Sequence, residues 1–256
     1  MLAPNPSPMT GRGTNTYVLG RANRVVVIDP GPPDPGHLAS IATAVSARGR
    51  AALVLLTHHH MDHSEAAVQV ARSLGVRLAG IPHPDGPPLD RDLVDGEELD
   101  LGEGTMRVLG TPGHTRDHAC FIWQEEGAVF AGDLVAGEGF VVIDPPDGNM
   151  KDYLASLARI RDLGPAVLLP GHGPEIGVPR AYLDGYIAHR LQREGKVLGS
   201  IPTGRGQSVD QLLPRVYDDT PEFMYPVAAR SLLAHLDKLV ADGQVAERNG
   251  EYRRLA

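Results

Sequence analysis

The chain has 256 residues, 42% hydrophobic and 22% charged, enough for one large domain or one domain with a small appendage. Its formal net charge of −8 argues against tight non-specific binding to nucleic acid, which needs Lys and Arg to neutralise phosphates, although a local basic groove stays open. No apolar run approaches a membrane span, the first residues lack the basic and apolar regions of a signal peptide, and a single cysteine, Cys120, excludes an intrachain disulfide. The protein is therefore read as cytoplasmic, with no membrane partner.

Residues 14–19 and 24–28 read as two strands joined by a turn over Gly20 to Asn23. Asp29-Pro30-Gly31-Pro32-Pro33 breaks the chain, and residues 37–48 have helical spacing that ends at Gly49. Residues 52–57 form a short apolar run, as in a strand buried on both faces. Ser64 is placed to cap a helix that reaches about Leu74 and stops at Gly75, and residues 76–79 return as a strand. Strands then dominate, over 97–101, 105–109, 119–123 and 128–130. Cys120 lies within Ala119-Cys120-Phe121-Ile122-Trp123 and reads as a buried small hydrophobe. A helix over 152–163, a strand over 166–169 and a long helix from Pro179 to about Leu198 follow. Strands and helices in both halves predict an α/β fold, a two-sheet sandwich with helices on its outer faces, layered αββα.

Beyond Gly199 the character changes. Ile201-Pro202-Thr203-Gly204-Arg205-Gly206 looks like a linker, and residues 208–217 read as a short helix. Residues 226–242 form an amphipathic helix with Val227, Leu232, Leu233, Leu236, Leu239 and Val240 as its apolar set, ended by Gly243. Residues 244–256 read as a hairpin turning at Asn249-Gly250. Helix, helix, hairpin is the outline of a winged helix. The predicted division is a catalytic domain over 1–200, including the linking helix 179–198, and a small winged-helix-like domain over 201–256.

The 11 histidines are unevenly placed. His58, His60, Asp62 and His63 follow the buried strand directly, in the run Thr57-His58-His59-His60-Met61-Asp62-His63. At a strand edge, residues two apart point the same way, so His58 and His60 can share one metal. Asp62 and His63, starting the next turn, can face a second metal beside it. Imidazole and carboxylate suit Zn²⁺, and also iron or manganese. The plain alternative is a solvated His-rich loop or a tag remnant, but a tag would lie at a terminus and lack the buried strand. His114 in Thr111-Pro112-Gly113-His114-Thr115, Asp133 after Phe130-Ala131-Gly132, and His172 in Pro170-Gly171-His172-Gly173 each follow an apolar run beside Gly or Pro. Any one alone could be a turn residue. Together with the first run they complete two sites.

The ordered set His58, His60, Asp62, His63, His114, Asp133 and His172 resembles the metallo-β-lactamase superfamily, with no ligand position missing. The resemblance implies that His58, His60 and His114 hold one metal, that Asp62, His63 and His172 hold a second, and that Asp133 bridges them. Finer motifs are similar to the beta-lactamase-like protein 2 group: Asn15-Thr16-Tyr17, Asp29-Pro30-Gly31, Pro170-Gly171-His172-Gly173-Pro174, residues 186–194 and Thr220-Pro221-Glu222. That group carries a C-terminal winged-helix-like domain. Its members are described as endoribonucleases of single-stranded RNA, and relatives as thioesterases in polyketide pathways.

The implied cofactor is a pair of divalent metal ions, zinc first among them. The implied chemistry is hydrolysis by a metal-bridging hydroxide, with Asp62 also orienting the nucleophile and accepting its proton. Asp29 reads either as a partner to a ligand histidine or as a turn former before Pro-Gly. His59 faces away by strand alternation and is not counted as a ligand. His118 packs beside the site or makes a structural hydrogen bond. His189, beside Arg190 on the long helix, reaches substrate or lies on a solvated face.

Single-stranded RNA is the first substrate expectation, on the subgroup resemblance and because winged helices often bind nucleic acid. Against it, the chain from Gly199 on holds seven Lys or Arg and eight Asp or Glu. A lid or a homodimer surface is the other reading of that module. The alternative substrate is a thioester, of glyoxalase II type or on an acyl carrier or CoA, since a thiolate leaves without a general acid. A β-lactamase is disfavoured by Asp133, where many lactamases use Cys, and by the lack of an export signal. A mononuclear-iron sulfur dioxygenase is disfavoured by the complete second ligand set.

Overall fold

Val25, Val26, Val27 and Ile28 are all fully buried, and so are Val54 and Leu55, so neither face of these strands meets water. A strand buried on both sides belongs in the middle of a layered α/β structure. The computed structural model, which describes residues 1–102 and 104–255, places them there. The first sheet has the order β1 (Tyr17–Leu19), β2 (Ala22–Ile28), β3 (Gly49–Leu55), β4 (Arg77–Gly80) and β5 (Arg91–Asp92). β1 and β2 pair antiparallel and the remaining neighbours pair parallel. Parallel neighbours need crossovers, which α1 (Pro35–Arg48) and α3 (Ala67–Leu74) supply. Ile41, Val45 and Val70 of these helices cover one face of the sheet.

The second sheet has the order β10-β9-β8-β7-β6, with β6 (Glu98–Asp100), β7 (Thr105–Gly110), β8 (Ala119–Trp123), β9 (Ala128–Gly132) and β10 (Val167–Pro170). Its Met106, Val108 and Phe121 meet Val26, Ile28 and Leu55 of the first sheet. Its other face carries Leu109, Cys120 and Val129 against Tyr153, Leu157 and Tyr186 of α4 (Met150–Leu163) and α5 (Pro179–Ser200). The result is the expected αββα sandwich. β5 was not foreseen, because two charged residues carry no alternation.

One capping assignment is corrected. Ser64 does not start a long helix; it ends the single turn α2 (Met61–Ser64), and its hydroxyl donates to the His59 carbonyl at 2.6 Å. The turn is tight because the chain must reverse at once after β3, and α3 begins only at Ala67.

The C-terminal part folds as α6 (Val209–Val216), α7 (Tyr225–Ala241), β11 (Val245–Arg248) and β12 (Glu251–Arg254), a winged helix. Ser208 and Gln211 form a reciprocal capping box at the start of α6. Asn249 and Gly250 adopt φ of +54° and +77°, as an Asn-Gly hairpin turn requires. Ala256, the last residue of the predicted hairpin, lies outside the described residues. Leu232, Leu236 and Leu239 of α7 pack with Leu212 and Val216, whereas Val240 is exposed. Val197 and Ile201, at the end of the linking helix, belong to this same core. No described helix is long and apolar enough to cross a membrane.

Candidate metal centre

All seven residues of the expected ligand set converge at one end of the sandwich, where β3, β7, β9 and β10 of the two sheets deliver their following loops. His58 Nε2 and His114 Nε2 each lie 3.0 Å from His60 Nδ1. Beside this trio, His63 Nε2 and His172 Nε2 are 3.3 Å apart, and Asp62 Oδ2 lies 3.5 and 3.2 Å from them. Asp133 stands between the two groups. Its Oδ2 is 3.5 Å from His114 Nε2, while its Oδ1 is 3.5 Å from His63 Nε2 and 3.4 Å from His172 Nε2. His60 and Asp62 are partly exposed, and the other five are buried.

Burial and crowding drive these groups in opposite directions. Burial pushes His58 well below the ordinary imidazole range and His60 down to about 4, with neighbouring imidazoles adding to the effect. Burial acts the same way on His63 and His172 but is overcome. Asp133, Asp29 and Asp62 hold His63 well above its usual value, and Asp133 and Asp62 lift His172 to about 9. Burial opposes ionisation of Asp133, yet His172 and His63 keep its carboxyl well below the usual carboxylate range.

The residues fit a pair of cations on two observations. Asp133 Oδ1 is buried without a hydrogen-bond partner among the described residues, a costly state for a carboxylate oxygen. In the trio, ring nitrogens point at one another with more lone pairs than protons can bridge. A divalent ion in each group removes both conflicts, and imidazole with carboxylate is a donor set for zinc, iron or manganese. The backbone also closes tightly here. A Cβ on Gly171 would meet Asp133 Oδ1 and His63 Cε1 at 2.6 Å, and one on Gly132, at φ +46°, would meet Thr57 and His118 within 2.8 Å.

Residues 9–172 match the family model of the metallo-beta-lactamase superfamily, and residues 208–253 match the beta-lactamase associated winged helix domain. The chain belongs to the metallo-β-lactamase superfamily. It is 34% identical to a beta-lactamase-like protein 2 homolog of Drosophila melanogaster, over 96% of this chain and 88% of that protein. It is 31% identical to an atrochrysone carboxyl ACP thioesterase of Aspergillus chevalieri, over 96% of this chain and 82% of that protein. The crystal structure of a metallo-beta-lactamase family protein from Thermus thermophilus superposes with a TM-score of 0.82 at 24% identity. That likeness covers 99% of this chain and 97% of the other, and it shows the fold. The chain is therefore a metal-dependent hydrolase of the metallo-β-lactamase fold.

In this member of the superfamily the ring orientations are set by a web centred on Asp29. The Asp29 carboxylate accepts from the Thr57 amide at 2.8 Å, from the Thr57 hydroxyl at 2.7 Å and from His63 Nδ1 at 2.9 Å. The Thr57 hydroxyl, its proton committed to Asp29, accepts from His58 Nδ1 at 3.0 Å. One carboxylate thus leaves Nε2 of both rings free to face the centre. Asp29 also has φ +49°, so it makes the turn as well. His114 Nδ1 donates to the Val142 carbonyl at 2.8 Å, and His172 Nδ1 to the Gly13 carbonyl at 3.3 Å. Asn15 Nδ2 ties down the His172 loop through the carbonyls of Pro170 and Gly173 at 3.0 and 2.8 Å.

His118 is buried behind the centre and makes a structural contact: its Nε2 accepts from the Asp133 amide at 3.0 Å and its Nδ1 meets Thr111 Oγ1 at 2.8 Å. His59 turns away from the trio, bonds Asp117 at 2.9 Å and stacks on His83, with ring centroids 3.9 Å apart and planes 4° from parallel. His83 in turn meets Asp147 at 3.2 Å. Parallel rings share no in-plane point for an ion, so this quartet acts as a hydrogen-bonded wall. His189 is not on a solvated face. It stacks on Phe140, centroids 3.6 Å apart, with its Nδ1 buried.

The centre opens into a cavity of about 840 Å³. Three stretches wall it: the N-terminal loop with Leu2 and Met9, the segment after β9 with Phe140 and Val142, and the start of α7 with Met224 and Val227. Val227 stood out in the sequence only as one of the apolar set of its helix, and the others carry no period or motif, so only the fold assembles them.

Proposed function

We propose that this chain is a dinuclear metal-dependent thioester hydrolase. His58, His60 and His114 would hold one divalent ion, zinc first among the candidates, and Asp62, His63 and His172 a second, with Asp133 serving both. The observation that carries the substrate class is the cavity. Apolar side chains such as Leu2, Met9, Phe140, Met224 and Val227 line much of it, and its cationic lining residues, Arg12 and Arg230, are outnumbered by Glu138, Asp144 and Asp147, even before Asp62 and Asp133 are counted. Arg230 is itself engaged, 3.3 Å from Asp144. An uncharged acyl group would meet a matching apolar surface there, whereas Glu138, Asp144 and Asp147 would oppose a phosphodiester backbone away from the cations that the centre would hold. A thioesterase among the relatives supports the same reading. RNA, the first expectation from sequence, would find Arg12 and Arg230 as the basic side chains among the residues lining this cavity.

Bound divalent ions supply Lewis acidity and lower the pKa of a coordinated water. The protein's own groups supply the rest. Asp62 is partly exposed on the cavity floor. Burial opposes its charge, but His63 and His172 keep it below the usual carboxylate range, so it is ionised at neutral pH and able to orient water and take its proton. Leu2, Met9 and Phe140 line the cavity and offer apolar contact to an acyl group. A thiolate leaves unprotonated, so the absence of a dedicated acid among the cavity residues is no obstacle.

The test is a side-by-side assay of acyl thioesters and unstructured RNA, with chelator and metal add-back. Thioester hydrolysis should be abolished by chelator and by His58→Ala, and metal analysis should find two ions per chain. Chelator-sensitive RNA cleavage that is lost in Asp133→Ala, with thioesters untouched, would reverse the assignment.

A further inference from the structure

We infer that the winged helix is a wall of the active-site cavity, and that Met224 and Val227 at the start of α7 select apolar acyl groups of ring or medium-chain size. This rests on the thioester reading above. The cavity that contains His60 and Asp62 is continuous with Met224, Val227 and Arg230, all from the C-terminal module. At about 840 Å³ it is in the range that encloses a drug-sized ligand, about 300–1,000 Å³, and is oversized for a short hydroxyacyl group.

The wall facing α7 has an unusual surface. Leu2, Met9 and Phe140 line the cavity and are 47%, 50% and 47% exposed. Large apolar side chains clustered around one concave site mark a place where an apolar partner belongs. Phe140 is held rigidly for that purpose: His189 stacks behind it and the Arg190 guanidinium lies 5.8 Å from its ring.

The α7 wall is fixed as well. Ser231 Oγ accepts from the Ile143 amide at 3.4 Å, Arg230 pairs with Asp144, and Lys238 donates to Glu194 of α5 at 2.8 Å. Ala234 is buried in the same cluster as Val141 and Ile143, which belong to the segment carrying Phe140. Both walls are therefore preorganised, and the gap between them works as a sieve set by side-chain size.

The experiment uses the full-length, metal-loaded enzyme and S-acyl N-acetylcysteamine thioesters from acetyl to decanoyl, with benzoyl. These substrates carry no charge, so differences report the acyl group alone. In the parent enzyme kcat/KM should rise about fourfold per methylene until the cavity is full, the value expected for a buried CH₂. Val227→Trp should lower the ratio of kcat/KM for octanoyl or benzoyl to that for acetyl by ~10-fold or more. Val227→Ala, a mild change that keeps the fold, should move the optimum to longer chains. A flat chain-length profile, or a loss shared equally by every substrate in both variants, would overturn the wall assignment while leaving the thioesterase reading intact. No turnover of any thioester by the loaded parent enzyme would sink both.

Discussion

His118 and His172 sit within one centre, yet they titrate in opposite directions. Burial pushes His118 down to about 4, and its unprotonated Nε2 accepts from the Asp133 amide. His60 is likewise held at about 4. An unfolded histidine titrates near 6.5, so the unfolded chain binds more protons than the folded one between those values. Stability is therefore complete above about pH 6.5 and falls as pH drops towards about 4. His172 is raised to about 9 against burial, by Asp133 and Asp62. Its contribution in the metal-free chain is complete below about pH 6.5 and is lost as pH rises towards about 9. Melting temperature against pH should show both limbs in metal-free protein. In the loaded protein the alkaline limb should vanish, because a coordinated His172 no longer takes up a proton. An alkaline limb of equal size with and without metal would refute the His172 assignment. His58, His60, Asp62 and His63 were legible in sequence as a group because strand alternation and one tight turn are local rules, whereas His114, Asp133 and His172 each looked like turn residues when taken alone. Asp29 was legible only as an open choice, and it fills both roles, turn former and acceptor for Thr57 and His63. The role of His118 was illegible, since its partner is a backbone amide placed by another strand.

Between β9 and α4, residues 133–149 form no helix or strand, yet they tie α5 to the centre. Tyr186 donates to the Gly139 carbonyl at 2.8 Å, Arg190 donates to the Val141 carbonyl, and the Val142 carbonyl orients His114. Arg190 thus acts from α5, through one peptide segment, on the position of His114, a residue that would hold metal. Arg190→Met leaves the buried Val141 carbonyl without its donor and should cost ~1–3 kcal/mol in stability. It should also weaken the ion held by His58, His60 and His114 by about 10–100-fold, the usual scale for losing an outer contact to a ligand. Arg190→Lys, which retains a donor, should restore part of the affinity. Metal titration separates these effects from a purely structural role, which would lower the melting temperature without moving affinity in the folded protein. Two cations of α5 are engaged within the protein: Arg190 is buried, and Arg193 bonds Asp219 at 2.9 Å and the Val216 carbonyl at 2.6 Å. Cations engaged within the protein contribute little to an RNA grip.

At the scale of the whole molecule, the layer order was legible because doubly buried strands alternating with helices leave few arrangements, and the winged helix because caps and an Asn-Gly turn mark its elements. How closely the two parts interlock was not legible, since it depends on side chains far apart in sequence. α5 gives Leu183 and Tyr186 to the core of the catalytic sandwich, and Val197 to the core of the winged helix. α7 gives Leu232, Leu236 and Leu239 to the winged helix, and Ala234 to the sandwich. Two helices shared between two cores couple their unfolding, because losing either core exposes apolar surface of the other. Heating should therefore give one transition by calorimetry, and metal should be released within it. Leu232 is fully buried, and Leu232→Ala should cost about 2–5 kcal/mol and move that single transition as a whole. A module that melted separately, with the centre still holding its metal, would show instead that the winged helix is an appended unit. The cavity would then lose its α7 wall before it lost its chemistry, so acyl selectivity should fade at a lower temperature than hydrolysis itself. A single transition predicts that the two disappear together.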